Sequence, residues 1–266
     1  MTGWPPPKDV IIRSFNARAD TYDFSEYHRW LARRAVAEAN VRTGMAVLDA
    51  AAGTGLAVRE AARLIGYAGT FWAVDIAVKL LAVAQREAAA QGFTLNLLEA
   101  DICDIPLPNA SVDVVLCVSA LAYVNDPAAA FSEWRRLLRP RGEVLFQTMA
   151  EGAVTASRVL RRVAAEFGVE LTDPNESLGT EDRCRAALDR AGMDCLSLTR
   201  DVWSEALPTA LAAWNTLRKS TVGRALEPLP PDRQDALRER FCSAFQREYD
   251  RLGGVDRQTI LLARGA

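Results

Sequence analysis

The chain has 266 residues, half of them apolar, and a formal net charge of −2, which suits one large domain with a buried core. That balance argues against a basic face and so against a nucleic-acid backbone as the main partner. No stretch reaches the roughly 18 apolar residues that a membrane span needs. The five cysteines are odd in number and lack C-x-x-C pairs, so neither a disulfide framework nor a structural zinc site is expected. With no apolar leader after Met1, the expectation is a soluble, cytoplasmic protein without a bound metal and of undetermined oligomeric state.

In chain order, a Pro5-Pro6-Pro7 tail precedes one or two helices between Val10 and Asn40. A strict alternation follows: strand Met45 to Ala50, helix Gly55 to Ile65, strand Thr70 to Asp75, helix Ala77 to Gln91, then strands Thr94 to Glu99 and Val112 to Val118. In the second helix Ala77, Leu80, Leu81, Ala84 and Ala88 recur at spacings of three and four, which marks one buried stripe. Asp126 and Pro127 start a helix that reaches Leu138, with Phe131, Trp134 and Leu138 on its inner face, and Pro140-Arg141-Gly142 turns the chain into a strand from Glu143 to Thr148. Helices Val154 to Phe167 and Glu181 to Ala191 come next, then a strand from Met193 to Val202. A helical segment, Trp203 to Leu252, separates it from a last strand, Gln258 to Ala263, and reads as a lid. The domain scheme is a helical segment 1–40 covering the site, an α/β core 41–202, a lid 203–252 and a returning strand 253–266. Such alternation defines a doubly wound, mostly parallel α/β sheet, whose ligands bind beyond the carboxyl ends of the strands.

The most informative segment is Val47-Leu48-Asp49-Ala50-Ala51-Ala52-Gly53-Thr54-Gly55. A strand delivers it, a helix begins after it, and its small residues let a ligand lie against bare backbone. Asp75 ends the next strand, twenty residues beyond Gly55, where a carboxylate can accept from ribose hydroxyls; capping of the following helix is the plainer role. Asp101 follows the third strand. Three successive strands thus bring acids to one sheet edge: Asp49 for the amino-acid part of a ligand, Asp75 for a ribose, and Asp101 with Ile102 for a purine.

With these residues the chain resembles the class I S-adenosylmethionine-dependent methyltransferases, in the small-molecule branch similar to the ubiquinone/menaquinone methyltransferases. Asp49 to Gly55 matches the family's acid-x-Gly-x-Gly-x-Gly loop, except that Ala51 replaces the first glycine, which is expected to require a negative φ there. The likeness continues through Ala73-Val74-Asp75-Ile76, Asp101-Ile102, Leu107 to Val115 and Asp126 to Glu143, with Phe15 to Asp23 similar to the entry helix. It implies a seven-stranded Rossmann-like sheet with an antiparallel last strand, and S-adenosyl-L-methionine as cofactor with S-adenosyl-L-homocysteine as product. The implied cofactor contacts are Tyr22, Asp49, Ala51, Gly53, Thr54, Gly55, Asp75, Ile76, Leu80, Asp101, Ile102, Cys103, Val118 and Ser119, with Tyr22 lying over the cofactor.

The expected chemistry is methyl transfer to an oxygen, nitrogen or carbon nucleophile of a small organic acceptor. The cofactor carries the activation, so the protein mainly positions the acceptor and excludes water. His28, the only histidine, and Tyr123, after the fourth strand, are the candidate catalytic residues; the plainer roles are a structural histidine and a packed aromatic. Trp203 and Trp214 are expected in the core rather than in an acceptor pocket. Cys117-Val118-Ser119-Ala120 lacks the Asn-Pro-Pro-aromatic and Pro-Cys motifs of base methyltransferases. The loop also lacks the G-x-G-x-x-G of nicotinamide dehydrogenases, since Val58 stands at its third glycine position. An alternative uses the sulfonium as a fixed charge for cyclisation or rearrangement without methyl transfer.

Overall fold

A computed structural model describes residues 4–220 and 222–266. Among them seven strands form one sheet: β1 Ala46–Ala50, β2 Thr70–Asp75, β3 Asn96–Glu99, β4 Val112–Cys117, β5 Leu138–Met149, β6 Cys195–Ala206 and β7 Val255–Gly265. Their spatial order is β3-β2-β1-β4-β5-β7-β6. β1 to β5 are mutually parallel, and β7 runs antiparallel between β5 and β6. The expected doubly wound sheet and reversed last strand are both present.

Every residue of β1 is buried, as a central parallel strand covered on both faces requires. On one face lie α2 (Glu26–Glu38), α3 (Leu56–Leu64) and α4 (Val78–Ala90), around Leu31, Val58, Leu81 and Phe71. On the other lie α5 (Pro127–Leu137) and α7 (Glu181–Arg190), around Phe131, Trp134, Phe146 and Leu188. α5 begins where the sequence places it, because Asp126 Oδ1 accepts from the Ala129 N–H at 3.1 Å and Pro127 fits the first turn.

The direction of winding reverses between β1 and β4. Winding proceeds outward from β1 through β2 and β3, and the other way from β4, so the loops after β1 and β4 diverge and leave a crevice. Ahead of the sheet, α1 (Lys8–Asn16) and a 3-10 turn (Ala19–Phe24) pack over this crevice, with Phe15 and Tyr22 against Leu80 and Ala77.

The structure differs from the sequence expectation in the last third. β6 continues to Ala206, four residues past the expected end, and β7 spans Val255–Gly265 rather than Gln258 to Ala263, because the two pair along their whole length, ending with Ala206 opposite Val255. Between them α8 (Ala210–Lys219) and α9 (Pro231–Leu252) do not stand alone. They pack with α6 (Thr155–Glu166) around Leu160, Val163, Trp214, Phe241 and Phe245, a core separate from those of the sheet. Trp214 is a core residue, and Trp203 packs on Tyr27 and Trp30.

Candidate active site

The crevice holds a cavity of about 300 Å³, bordered by the β1 loop (Ala51, Gly53), the ends of β2 and β3 (Asp75, Ile76, Asp101, Ile102, Cys103), the β4 loop (Val118, Ser119, Tyr123) and the N-terminal elements (Lys8, Phe15, Tyr22). Leu80 of α4 closes its floor.

Asp75 organises the loop. It is 9% exposed; its Oδ2 accepts from the Gly53 N–H and its Oδ1 from the Ala77 N–H, both at 2.8 Å. Burial raises its pKa, and the amides of Ala77, Gly53 and Ile76 work against that rise. Asp75 therefore has the capping-type role and the cavity position together, because one carboxylate has four lone-pair sites and these amides do not fill them all.

Gly53 has φ +56°, and a Cβ there would stand 3.8 Å from Leu80 and 4.0 Å from Tyr22, pointing into the space a ligand would fill. Ala51 corrects the sequence expectation of a negative φ: it lies at +63°, in the left-handed region. The loop geometry is held by bonds on either side, including Ala52 N–H to Val74 O at 2.9 Å, so the alanine adopts the conformation that glycine ordinarily supplies. Ser119, at φ +60°, is pinned likewise by its N–H to Gln147 Oε1 at 2.9 Å.

Two expected cofactor contacts are turned elsewhere. The Thr54 hydroxyl is bonded to Asp23, and Gly55 is the left-handed cap of α3, where a Cβ would stand 3.2 Å from the Ala84 Cβ of α4. Neither borders the large cavity. Their role is to hold the loop against Asp23, which also pairs with buried Arg59 at 2.5 Å. Asp23 and Arg59 are the anchor that sequence alone does not single out.

Asp49 borders a small side recess, shared with Tyr22, His28, Ala51 and Ser119, rather than the main chamber. Its Oδ2 accepts from the Val58 N–H at 3.0 Å, and burial pushes its pKa up to about 7. Asp101 borders the main cavity, accepts from the Cys103 N–H at 2.9 Å and pairs with Lys8 of α1. Partial burial favours its neutral form, but Lys8 and the Cys103 amide outweigh this and the pKa falls. Burial lifts the Cys103 thiol to about 12, so it stays protonated.

The candidate catalytic residues separate. Tyr123 borders the main cavity and packs edge-on against Phe15 at 5.2 Å, its hydroxyl held neutral by burial. His28 reaches neither the main cavity nor the second one described below. It stacks on Tyr22 at 4.4 Å, its Nδ1 buried without a partner among the described residues, and burial lowers its pKa to about 4. That makes it a poor base.

A second cavity of about 260 Å³ adjoins the first. Ser119, Ala120 and Tyr123 border both, and Gln147, Met149, Val154, Arg161, Asp173 and, from the α8 end, Leu217, Ser220 and Val222 complete much of its wall. Gln147, Arg161 and Asp173 have no signature in the sequence, because β5, α6 and the following loop bring them together only in the fold.

The fit of the first cavity to a nucleoside cofactor follows from its lining: acids at the ends of two successive parallel strands, Asp75 and Asp101, with Asp49 in the side recess, and a loop glycine whose missing Cβ leaves the chamber open. The fold and this crevice define an α/β protein of the Rossmann-like methyltransferase architecture. Residues 48–146 match the family described as "Methyltransferase domain".

The chain is 36% identical over 148 residues to a malonyl-[acyl-carrier protein] O-methyltransferase of Yersinia pestis, an alignment covering 55% of this chain and 53% of the relative. It is 34% identical over 137 residues to a ubiquinone/menaquinone biosynthesis C-methyltransferase of Paraburkholderia phymatum, covering 49% and 56%. The chain thus aligns over about half the length of the curated relatives it matches. The crystal structure of YcgJ protein from Bacillus subtilis shares the fold, with a TM-score of 0.60 at 16% identity over 90% of this chain and 98% of that one.

Proposed function

We propose that the protein transfers a methyl group from S-adenosyl-L-methionine to an oxygen, nitrogen or carbon nucleophile of a small organic acceptor, releasing S-adenosyl-L-homocysteine. The carrying observation is the pair of adjoining cavities: one fits the nucleoside, the other is free for an acceptor, and they meet at Ser119, Ala120 and Tyr123. Both sequence relatives are named for methyl transfer, one to oxygen and one to carbon, which favours transfer over the electrostatic alternative and leaves the acceptor atom open.

When bound, the cofactor supplies a methyl group already activated on a sulfonium. The rest falls to the chain. Asp75 would accept from the ribose with the lone pairs its amide bonds leave, and Ile102 would pack against the purine beside Asp101. Tyr22, backed by the neutral ring of His28, would cover the amino-acid end. Tyr123 stands between the chambers as a neutral donor that can orient an acceptor oxygen, while Phe15 and Trp4 shield it from water. Such positioning in a water-poor site can supply much of the rate enhancement when the nucleophile needs no strong base. The five free thiols accord with a reducing, cytoplasmic setting, and the described residues contain no helix long and apolar enough to cross a membrane.

Calorimetric titration with S-adenosylmethionine, S-adenosylhomocysteine and NAD tests this reading. Both sulfur nucleotides should bind and NAD should not. Asp75→Ala should weaken them by roughly 10- to 100-fold, the loss of one or more charge-assisted hydrogen bonds. Failure of either sulfur nucleotide to bind the wild type, or a preference for NAD, overturns it.

A further inference from the structure

Resting on the reading of the second cavity as the acceptor site, we infer that this cavity recognises a carboxylate on the acceptor, held between the side-chain amide of Gln147 and the guanidinium of Arg161. The inference concerns what grips the acceptor, whichever of its atoms is methylated.

Gln147 sits on β5 and is 1% exposed. Its Oε1 is taken by the Ser119 N–H at 2.9 Å, which fixes which end of the amide is which. Nε2 is left with no partner among the described residues, although the residue borders the cavity. A buried NH₂ group without an acceptor is destabilising, and a ligand oxygen would remove the penalty.

Among the described residues Asp173 is the only acidic one on the cavity wall, and its acceptor capacity is filled. Its Oδ2 accepts from the Gly152 N–H at 2.8 Å and pairs with Arg161 Nη2 at 2.7 Å, while Oδ1 accepts from the Asn175 N–H at 3.0 Å and Asn175 Nδ2 at 3.4 Å. It therefore orients Arg161 and leaves no carboxylate lone pair for an ammonium on an acceptor. Arg161 carries five N–H donors, and its only ion pair among the described residues is with Asp173. Two side chains with unused donors and a saturated acid face a chamber whose wall also carries apolar Met149, Val154, Leu217 and Val222 beside uncharged Thr148, Ser157 and Ser220. A compact, partly apolar molecule bearing a carboxylate complements that wall, and a cationic amine does not.

The test uses the full chain saturated with S-adenosylhomocysteine and titrated with butyrate, hexanoate, octanoate, benzoate and phenylacetate, each against its primary amide and its amine, followed by ligand-observed NMR. At least one carboxylate should bind about tenfold or more tighter than its amine. Gln147→Glu keeps the acceptor for the Ser119 N–H and replaces the donor by an anion. It should weaken that carboxylate about tenfold or more while the affinity for S-adenosylhomocysteine stays level. Arg161→Met should act in the same direction, and the melting temperature of each variant reports whether it is folded; should Arg161→Met unfold, Gln147→Glu decides alone. Binding of no carboxylate, equal binding of acid and amine, or a Gln147→Glu protein with wild-type carboxylate affinity overturns the inference. If S-adenosylhomocysteine itself fails to bind, the methyltransferase reading falls separately, and the same titrations on the protein alone still decide whether Gln147 and Arg161 hold a carboxylate.

Discussion

Replacing Ala51 by glycine should stabilise the protein, although glycine ordinarily weakens a fold. At φ +63° the alanine Cβ crowds its own backbone, a strain of about 1–2 kcal/mol for a non-glycine residue in the left-handed region. Glycine removes that strain but frees the unfolded chain, which offsets about 0.4–1 kcal/mol. Ala51 is only half-buried, so the methyl group contributes little packing, and the difference favours Ala51→Gly by roughly 1 kcal/mol. For a chain of this size that corresponds to a rise in Tm of about 2–4 °C. Urea unfolding with unchanged m-value and a higher midpoint is the assay of choice, since it separates native-state relief from a change in the denatured state. Affinity for S-adenosylhomocysteine should be unchanged, because the Ala52 and Gly53 amides are held by partners that the substitution leaves alone. A variant less stable by about 0.5 kcal/mol or more, the ordinary penalty for glycine at negative φ, would refute the left-handed loop.

Two further outcomes follow from burial. Asp49 has its pKa raised to about 7 against an unfolded value near 3.8, so between these values the native state holds a proton that the unfolded chain has lost, and this group's contribution to stability declines as pH rises through that window. A cationic cofactor beside it favours the ionised form; affinity for S-adenosylmethionine should climb from pH 5 to 7 and level off above, with proton release at pH 6 visible as a buffer-dependent binding enthalpy. Buffer-independent enthalpy at pH 6 would remove Asp49 from the cofactor's surroundings. Phe241→Ala should cost about 3–5 kcal/mol within the core shared by α6, α8 and α9, exposing that region to limited proteolysis while S-adenosylhomocysteine still binds; simultaneous loss of both would show that the helical cluster and the sheet unfold as one unit.

Sequence showed what is local. The alternation of elements, the Asp126-Pro127 helix start and the acids ending successive strands are written within short windows, and β1 is an apolar strand interrupted only by Asp49. The handedness of Ala51 is not, because alanine is an ordinary residue at negative φ and only the surrounding bonds force the other sign. Thr54 and Gly55 look like ligand contacts by their neighbours in the loop, yet their partners are Asp23 and Ala84, each about thirty residues away in sequence. The second cavity was hidden for the same reason: Gln147 resembles any strand residue until Ser119 takes its oxygen, and Arg161 resembles a solvated helix charge until the loop carrying Asp173 folds beneath it. The extra length of β6 escaped because its exposed half is polar and alternating, a weak pattern against the helical signal that follows.

The direct pairing of Ala206 with Val255 means that the chain leaves the sheet and returns to it at the same rung of one ladder. Everything between is a detour whose two ends are already joined by the strands themselves. Such an excursion can lengthen, shrink or be exchanged without stretching the platform beneath it. Of the second cavity's wall, Leu217, Ser220 and Val222 come from that excursion, whereas the first cavity takes none of its lining from it. The architecture thus separates what is variable from what is fixed: one chamber belongs to the platform, and the other is partly roofed by a replaceable part.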